Sequence, residues 1–372
     1  MRLLIAGDFC SRYRTTAIIE SGDYKKSLGL IKSIVEQYDY SIVNLECPII
    51  HDAPTPIVKQ GPNLYGSVKM LDAITYMGFN CVTLANNHFY DQGEKGVEDT
   101  LAALEERHID FVGGGTDLQS ASKILYKEIN GQTLAIINCC EHEFSIATET
   151  TGGANPLNPI QQYNAIQEAR VKADYVLVIV HGGHEHYQLP SPRMVETYRF
   201  FIDTGADAVV NHHQHCYSGY ETYKGKPIFY GLGNLFFDLE QPSIDSPWNY
   251  GFCVELNISE IGVTFAIHPY KQCAEEAAIS LLGANAFDGK LKELNGIIKD
   301  SKKLQQATNG YYKKSMADVE YFLNPYQNRM IRGLVKYGIM PSLFKKKWLL
   351  KLENYILCES HRDKVDYYLK HK

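Results

Sequence analysis

The sequence predicts an α/β domain over residues 1–270 and an α-helical extension over 271–372. Two observations carry that reading. Short apolar runs alternate with amphipathic segments up to about residue 270, the pattern of strands layered with helices. Beyond it the strand signals stop and helical periodicity remains.

The runs are RLLIAGD (2–8), YSIVNLE (40–46), CVTLANN (81–87), TLAIINC (133–139), YVLVIVH (175–181), DAVVNHH (207–213) and PIFYGLGN (227–234). Nearly all are aliphatic and close on an acid, an Asn or a His, which suits strands buried on both faces. Helices are expected over YKKSLGLIKSIVEQY (24–38) and GVEDTLAALEERHI (96–109), where apolar residues recur three and four apart. In the extension, residues 280–306 and 345–372 read as helices.

The balance of 37 Lys/Arg against 43 Asp/Glu, a net −6, excludes a whole-protein nucleic-acid binder, which needs a basic surface. From Tyr326 to the end, however, eleven Lys/Arg face four Asp/Glu, so 11 − 4 gives +7. Either a solvated helical appendage or a docking surface for an acidic partner, polymer or membrane face fits that charge. No apolar run reaches the length of a membrane span, and MRLLIAGDFC reads as a first strand, not a signal peptide. The nine cysteines are scattered with no CxxC pair, so reduced thiols and a cytoplasmic location are expected.

The polar residues sit where the strands should end. Asp8 follows LLIAG, Asn44 and Glu46 follow SIV, and Asn86, Asn87 and His88 follow VTLA. His181 follows VLVIV, and His212, His213 and His215 follow AVVN. In α/β sheets the carboxyl ends of strands converge on one edge, so these residues should meet. Each has an ordinary explanation as well: Asp8 as a helix cap, Asn86 and Asn87 as turn residues, His181 as a histidine satisfied at a tight turn, and the His184–Glu185–His186 stretch as a polar loop. The coincidence of all of them favours mixed carboxylate, amide and imidazole ligands for divalent cations such as Mn, Fe, Zn or Ni. If 211–215 is extended, His213 and His215 point the same way and His212 faces the core.

With those residues in view, the chain resembles the CapA family, associated with poly-γ-glutamate capsule biosynthesis, within the calcineurin-like metallophosphoesterase fold. The resemblance runs through GDF (7–9), NLE (44–46), ANNHFYDQG (85–93), HGGHEHYQLPSP (181–192), TGADAVVNHHQH (204–215) and GKPIFYGLGNLFFD (225–238). It implies a four-layer αββα sandwich holding two divalent metal ions. Asp8 would bind one metal with His215, Glu46 would bridge, and Asn87, His181 and His213 would bind the other. His88 would stabilise or protonate a leaving group, and Glu185 would orient a ligand or touch substrate. Asn86, His184 and Asn234 are expected at the substrate pocket.

Departures from the family pattern matter. The Asp-x-His histidine is replaced by Cys10, which either ligates in its place or leaves the first site short. Gly182 stands where the family has Trp, and Asn211 and Gln214 replace its Gly and Pro. The resemblance implies a hydrolase of a small phosphorylated substrate or surface-polymer precursor, with amide hydrolysis as a variant. The alternative is a non-catalytic polymer-binding or assembly factor for capsule synthesis, and the basic C-terminal helices, if not simply a solvated appendage, would contact a membrane surface or a protein.

Overall fold

The structure, a computed structural model, describes residues 1–259, 262–323, 328–337, 339, 346–357, 361, 364–365 and 368–369. It divides into two compact units, Met1–Thr308 and Asn309–Lys372.

The first unit opens with β1 (Arg2–Phe9), α1 (Arg14–Ser21), α2 (Lys25–Val35), β2 (Tyr40–Leu45), α3 (Lys69–Met77), β3 (Cys81–Thr83), α4 (Gly93–Glu106) and β4 (Asp110–Val112). Next come the short β5 (Gly114–Gly115) and α5 (Leu118–Ala121), then β6 (Leu125–Ile129), β7 (Gln132–Cys140), β8 (Gly153–Ala154) and α6 (Pro159–Lys172). The chain continues through β9 (Tyr175–His181), α7 (Pro192–Thr204), β10 (Ala208–His212), β11 (Tyr220–Tyr223) and β12 (Lys226–Phe229). It closes with β13 (Asn234–Phe236), β14 (Tyr250–Ser259), β15 (Gly262–Gln272), β16 (Ile279–Leu281) and α8 (Asp288–Ile298), and α9 (Ser301–Leu323) begins before Thr308.

Two mixed sheets result. One has the order β16-β15-β14-β1-β2-β3-β4 with β13 also paired to β1; the other runs β11-β12-β10-β9-β7-β6. Alternation along β1 explains how they stack. Leu3 and Ile5 join Leu134, Ile136, Val178, Val209 and Val254 in a core shared by both sheets. Leu4 and Ala6 point the other way, into a core with Ile19, Leu28, Ile31, Met70, Leu71 and Leu104 from α1 to α4. On the far side, Ile166 and Ala169 of α6 and Met194, Tyr198 and Phe201 of α7 cover the six-stranded sheet. The layers are therefore helix, sheet, sheet, helix, as the resemblance implied.

Local chemistry starts the helices that leave the site edge. Ser191 caps α7 by accepting from the Met194 amide, with Pro192 in the first turn. Asn158 caps α6 in the same manner ahead of Pro159. All seven apolar runs form strands, but PIFYGLGN splits: β12 belongs to the six-stranded sheet and β13 to the other. Gly233, at φ 80°, makes that crossing and lets its carbonyl accept from Asp8 N at 3.3 Å.

Two expectations need correction. Strands do not stop at residue 270, because β15 reaches Gln272 and β16 adds a further antiparallel strand at Ile279–Leu281, overlapping the start of a stretch read as helical. With Leu291, Leu294 and Ile298 of α8 buried in the shared core, the compact unit extends to Thr308. The second unit holds the end of α9, α10 (Arg329–Lys336) and α11 (Lys346–Leu357). Much of the expected helix at 358–372 lies outside the described residues.

A Cβ at Gly7 would stand 1.8 Å from the Gly233 carbonyl oxygen, and Gly233 is itself wedged against the Tyr250 backbone. Gly7→Ala is therefore expected to cost about 1–3 kcal/mol or more, as overpacking does, read as a lowered urea midpoint.

Candidate metal centre

The carboxyl ends of strands from both sheets meet at one edge. Asp8 on β1 lies in register with Asn44 of β2 on one side and Asn234 of β13 on the other. From the second sheet, His181 at the end of β9 is in register with His212 at the end of β10. Glu46 follows β2, and its backbone N–H donates to the Phe9 carbonyl at 3.1 Å, which fixes it beside Asp8.

Two donor triads form there, and they share one residue. Ligand atoms of Glu46, His181 and His213 all lie within 4.8 Å of one another, as do those of Asp8, Glu46 and His215. His181 Nε2 is 3.5 Å from Glu46 Oε1, 3.1 Å from His213 Nδ1 and 3.0 Å from Asn87 Oδ1, so the four residues assigned to one metal converge. His215 Nε2 is 3.6 Å from the same Glu46 oxygen, and its Nδ1 is 3.6 Å from Asp8 Oδ2. Both Glu46 oxygens are fully buried without a hydrogen-bond partner. An unpaired buried carboxylate is costly, and a cation between the triads would remove that cost.

The electrostatics say the same. Burial pushes the Asp8 carboxyl up to about 7 despite hydrogen bonds from Asn44 and the His213 amide. Burial, then the neighbouring Asp8 charge, lifts Glu46 well above the carboxylate range. His181 and His215 are held well below the usual imidazole value by burial and by the other histidines, and burial also lowers His213. Burial thus disfavours the charged form of each of these groups, a condition that a bound divalent cation would reverse.

Neighbouring amides and rings orient these donors. Asn44 donates from Nδ2 to Asp8 Oδ1 at 2.8 Å and lies 3.4 Å from His181 Nδ1. Asn234 Oδ1 sits 2.9 Å from His215 Nδ1, which directs Nε2 of that ring toward Glu46. The His215 ring packs 4.7 Å from Trp248 and 5.3 Å from Phe237.

His213 and His215 do not reach the site by strand alternation. β10 ends at His212, and His213 (φ 89°) and His215 (φ 53°) both take left-handed backbone. Such conformations cost on the order of 1–3 kcal/mol each in non-glycine residues and mark functional turns. The turn gives each triad one histidine. His212 is buried as expected, with Nδ1 3.5 Å from Asp8 Oδ1 and its pKa pushed down to about 3 by burial.

His88 stands beside this centre on the loop after β3. Its Nδ1 is 2.6 Å from Asp91 Oδ2, and the ammonium of Lys59 pairs with the other Asp91 oxygen while lying 3.3 Å from His88 Nδ1. The Lys59 side chain is buried although its loop is largely exposed. Burial lowers the His88 pKa; Asp91 opposes that and Lys59 adds to it. Asp91 lies in the ANNHFYDQG motif, three residues past His88, but Lys59 comes from a Pro-rich stretch with no periodicity to flag it.

The remaining expected residues scatter. Glu185 is at the rim, its side chain 47% exposed and its carboxyl raised by burial and by Glu143. Glu143, unmarked in the sequence, lies 4.0 Å from His213 Nε2. His184 is half-buried on the same loop as Glu185, with burial lowering its pKa. Asn86 and Asn234, expected at the substrate pocket, are both fully buried. Asn86 donates to the Leu45 carbonyl at 2.9 Å and accepts from the His88 amide at 3.1 Å, so it shapes the loop. Cys10 joins neither triad. Its buried thiol faces Cys47, and burial raises its pKa well above the usual thiol value.

A family model described as bacterial capsule synthesis protein PGA_cap matches residues 2–239. The chain belongs to that family. It is 33% identical over 216 residues to the capsule biosynthesis protein CapA of Bacillus anthracis, covering 56% of this chain and 53% of that one. It is also 33% identical over 211 residues to the PGA biosynthesis protein CapA of Bacillus subtilis (strain 168), covering 56% of each. The chain thus spans about half the length of the curated relatives it matches. Among solved structures it is similar to a hypothetical protein from Thermus thermophilus, at 17% identity and a TM-score of 0.48, over 76% of this chain and 100% of that one. A 5'-nucleotidase precursor from the same organism is similar at 12% identity and a TM-score of 0.45, over 80% and 58%.

Two outcomes are expected. Mn²⁺ or Zn²⁺ at about 100 times its dissociation constant should stabilise the wild type by about 2.7 kcal/mol, and Glu46→Gln should abolish the shift in melting temperature. Asn234→Ala, which releases His215 Nδ1, should weaken metal binding about 10–100-fold by calorimetric titration.

Proposed function

We propose that this chain is a divalent-metal-dependent phosphoester hydrolase serving capsule or poly-γ-glutamate synthesis, with a small phosphorylated substrate or surface-polymer precursor. The observation that carries the reading is the pair of donor triads joined at Glu46, whose two oxygens have no other partner. Two cations suit that arrangement, and imidazole, carboxylate and amide donors suit Mn, Fe, Zn or Ni. When bound, such ions supply Lewis acidity toward the phosphoryl oxygens and lower the pKa of water at the site.

The protein's own groups do the rest. Glu46 holds the two halves of the centre at a fixed separation, and Asn44 and Asn234 keep Asp8, His181 and His215 aimed inward. His88 is anchored through Nδ1 by Asp91, which leaves Nε2 for the leaving-group oxygen. Glu143 and Glu185 at the rim set the charge that an entering substrate meets. The capsule link rests on the family and on the names of the Bacillus relatives.

One observation favours the second reading, a non-catalytic assembly factor. The triad of Asp8, Glu46 and His215 gains no donor from Cys10, so that half of the centre is the poorer one. Metal analysis of purified protein beside His213→Ala, with hydrolysis of an aryl phosphate under Mn²⁺, Ni²⁺ and Zn²⁺, separates the two. Near-stoichiometric metal lost together with hydrolysis in the variant supports the enzyme; a metal-loaded but inert wild type supports the assembly factor. Within the enzyme reading, His88→Ala should lower kcat about 10²–10⁴-fold while metal content stays unchanged.

A further inference from the structure

The groups that the proposed reaction leaves unused concentrate in the second unit, Asn309–Lys372. Its charge opposes that of the whole chain: +7 from Tyr326 onward, by 11 − 4, against −6 overall. It also carries large apolar side chains that are partly exposed. Trp348 is 40% exposed, Leu350 55%, Tyr355 47% and Ile356 53%.

The pattern on α11 organises both features. Trp348, Leu352, Tyr355 and Ile356 fall at i, i+4, i+7 and i+8, a single stripe along the helix. At 100° per residue, Leu349 extends the stripe, while Lys346, Lys351, Glu353 and Asn354 share the remaining circumference with Leu350. The sequence of α10 segregates likewise, with apolar positions 330, 331, 334 and 335 and basic positions 329, 332 and 336. Among the described residues no helix is long and apolar enough to cross a membrane.

We propose that α10 and α11 dock this protein on the surface of an anionic lipid bilayer, lying in the interface with the apolar stripes inserted. An acidic polymer would satisfy the lysines but offer nothing to the stripe of Trp348, Leu352, Tyr355 and Ile356. A bilayer interface takes both, since its headgroups attract Lys and Arg and its acyl boundary accepts aromatic and aliphatic side chains. Short amphipathic helices rich in Lys and carrying Trp behave in this way. The inference is independent of the proposed hydrolysis.

The test uses the full chain and vesicle flotation. Binding is expected to phosphatidylcholine vesicles containing about 30% phosphatidylglycerol, with little to phosphatidylcholine alone, and with loss as salt rises from about 0.1 M to about 1 M. The chain has two tryptophans, and Trp248 is 8% exposed, so a blue shift of fluorescence on adding vesicles reports Trp348. Trp348→Phe should abolish that shift. The double variant Lys346→Gln, Lys351→Gln, both at exposed positions, should bind about 30-fold more weakly with an unchanged circular dichroism spectrum. Equal binding to neutral vesicles, or no binding to anionic ones, overturns the proposal. Salt-sensitive capture of soluble polyglutamate without vesicle binding overturns it too, and assigns the basic face to an acidic polymer.

Discussion

The structure turns on one buried carboxylate. Glu46 sits at 0% exposure with both oxygens unpartnered, 3.5 Å from one histidine and 3.6 Å from another. No fold keeps such a group without compensation, because desolvating an unpaired ion costs several kcal/mol. Its surroundings add to that cost: Asp8 stands beside it, and the histidines offer lone pairs where donors would relieve it. Positive charge is what the arrangement lacks and what it is shaped to receive.

The two sheets supply this centre from opposite sides. Asp8, Asn44 and Glu46 come with the larger sheet, and His181 with the smaller. His213 and His215 come from a left-handed turn just past β10, which explains how neighbouring residues serve different triads. Asn234 stands behind His215 on β13, so the crossing from β12 to β13 delivers the group that steers that ring. Catalytic potential of this kind needs rigid elements behind every donor, and each donor here follows or ends a buried strand.

Most of this is legible in the residues. Strand periodicity marks all seven runs, and the polar termini of Asp8, Glu46, Asn87 and His181 meet because strand ends converge. What escapes does so for physical reasons. An extended backbone would bring His213 and His215 to one side, whereas positive φ angles do it. The hydrogen bonds of Asn234 to His215 and of Asn86 to the Leu45 carbonyl join residues far apart in sequence, and no local pattern announces them. Lys59 cannot be found from pattern, since a lysine on an irregular loop is ordinarily solvated. The strand β16 is hidden because three residues carry too little periodicity. The αββα layering itself rests on the resemblance, since alternation of strands and helices does not by itself say that two sheets stack.

The Gly7–Gly233 approach has a consequence for how the molecule comes apart. At that point the chain leaves one sheet and enters the other, within one residue of both Asp8 and Asn234. The two sheets cannot part at this crossing without moving Asp8 and Asn234. Local opening elsewhere, at the rim loops or the outer helices, leaves the centre intact, but opening between the layers destroys it at once. A cation held by the two triads would therefore be lost together with the inter-sheet core.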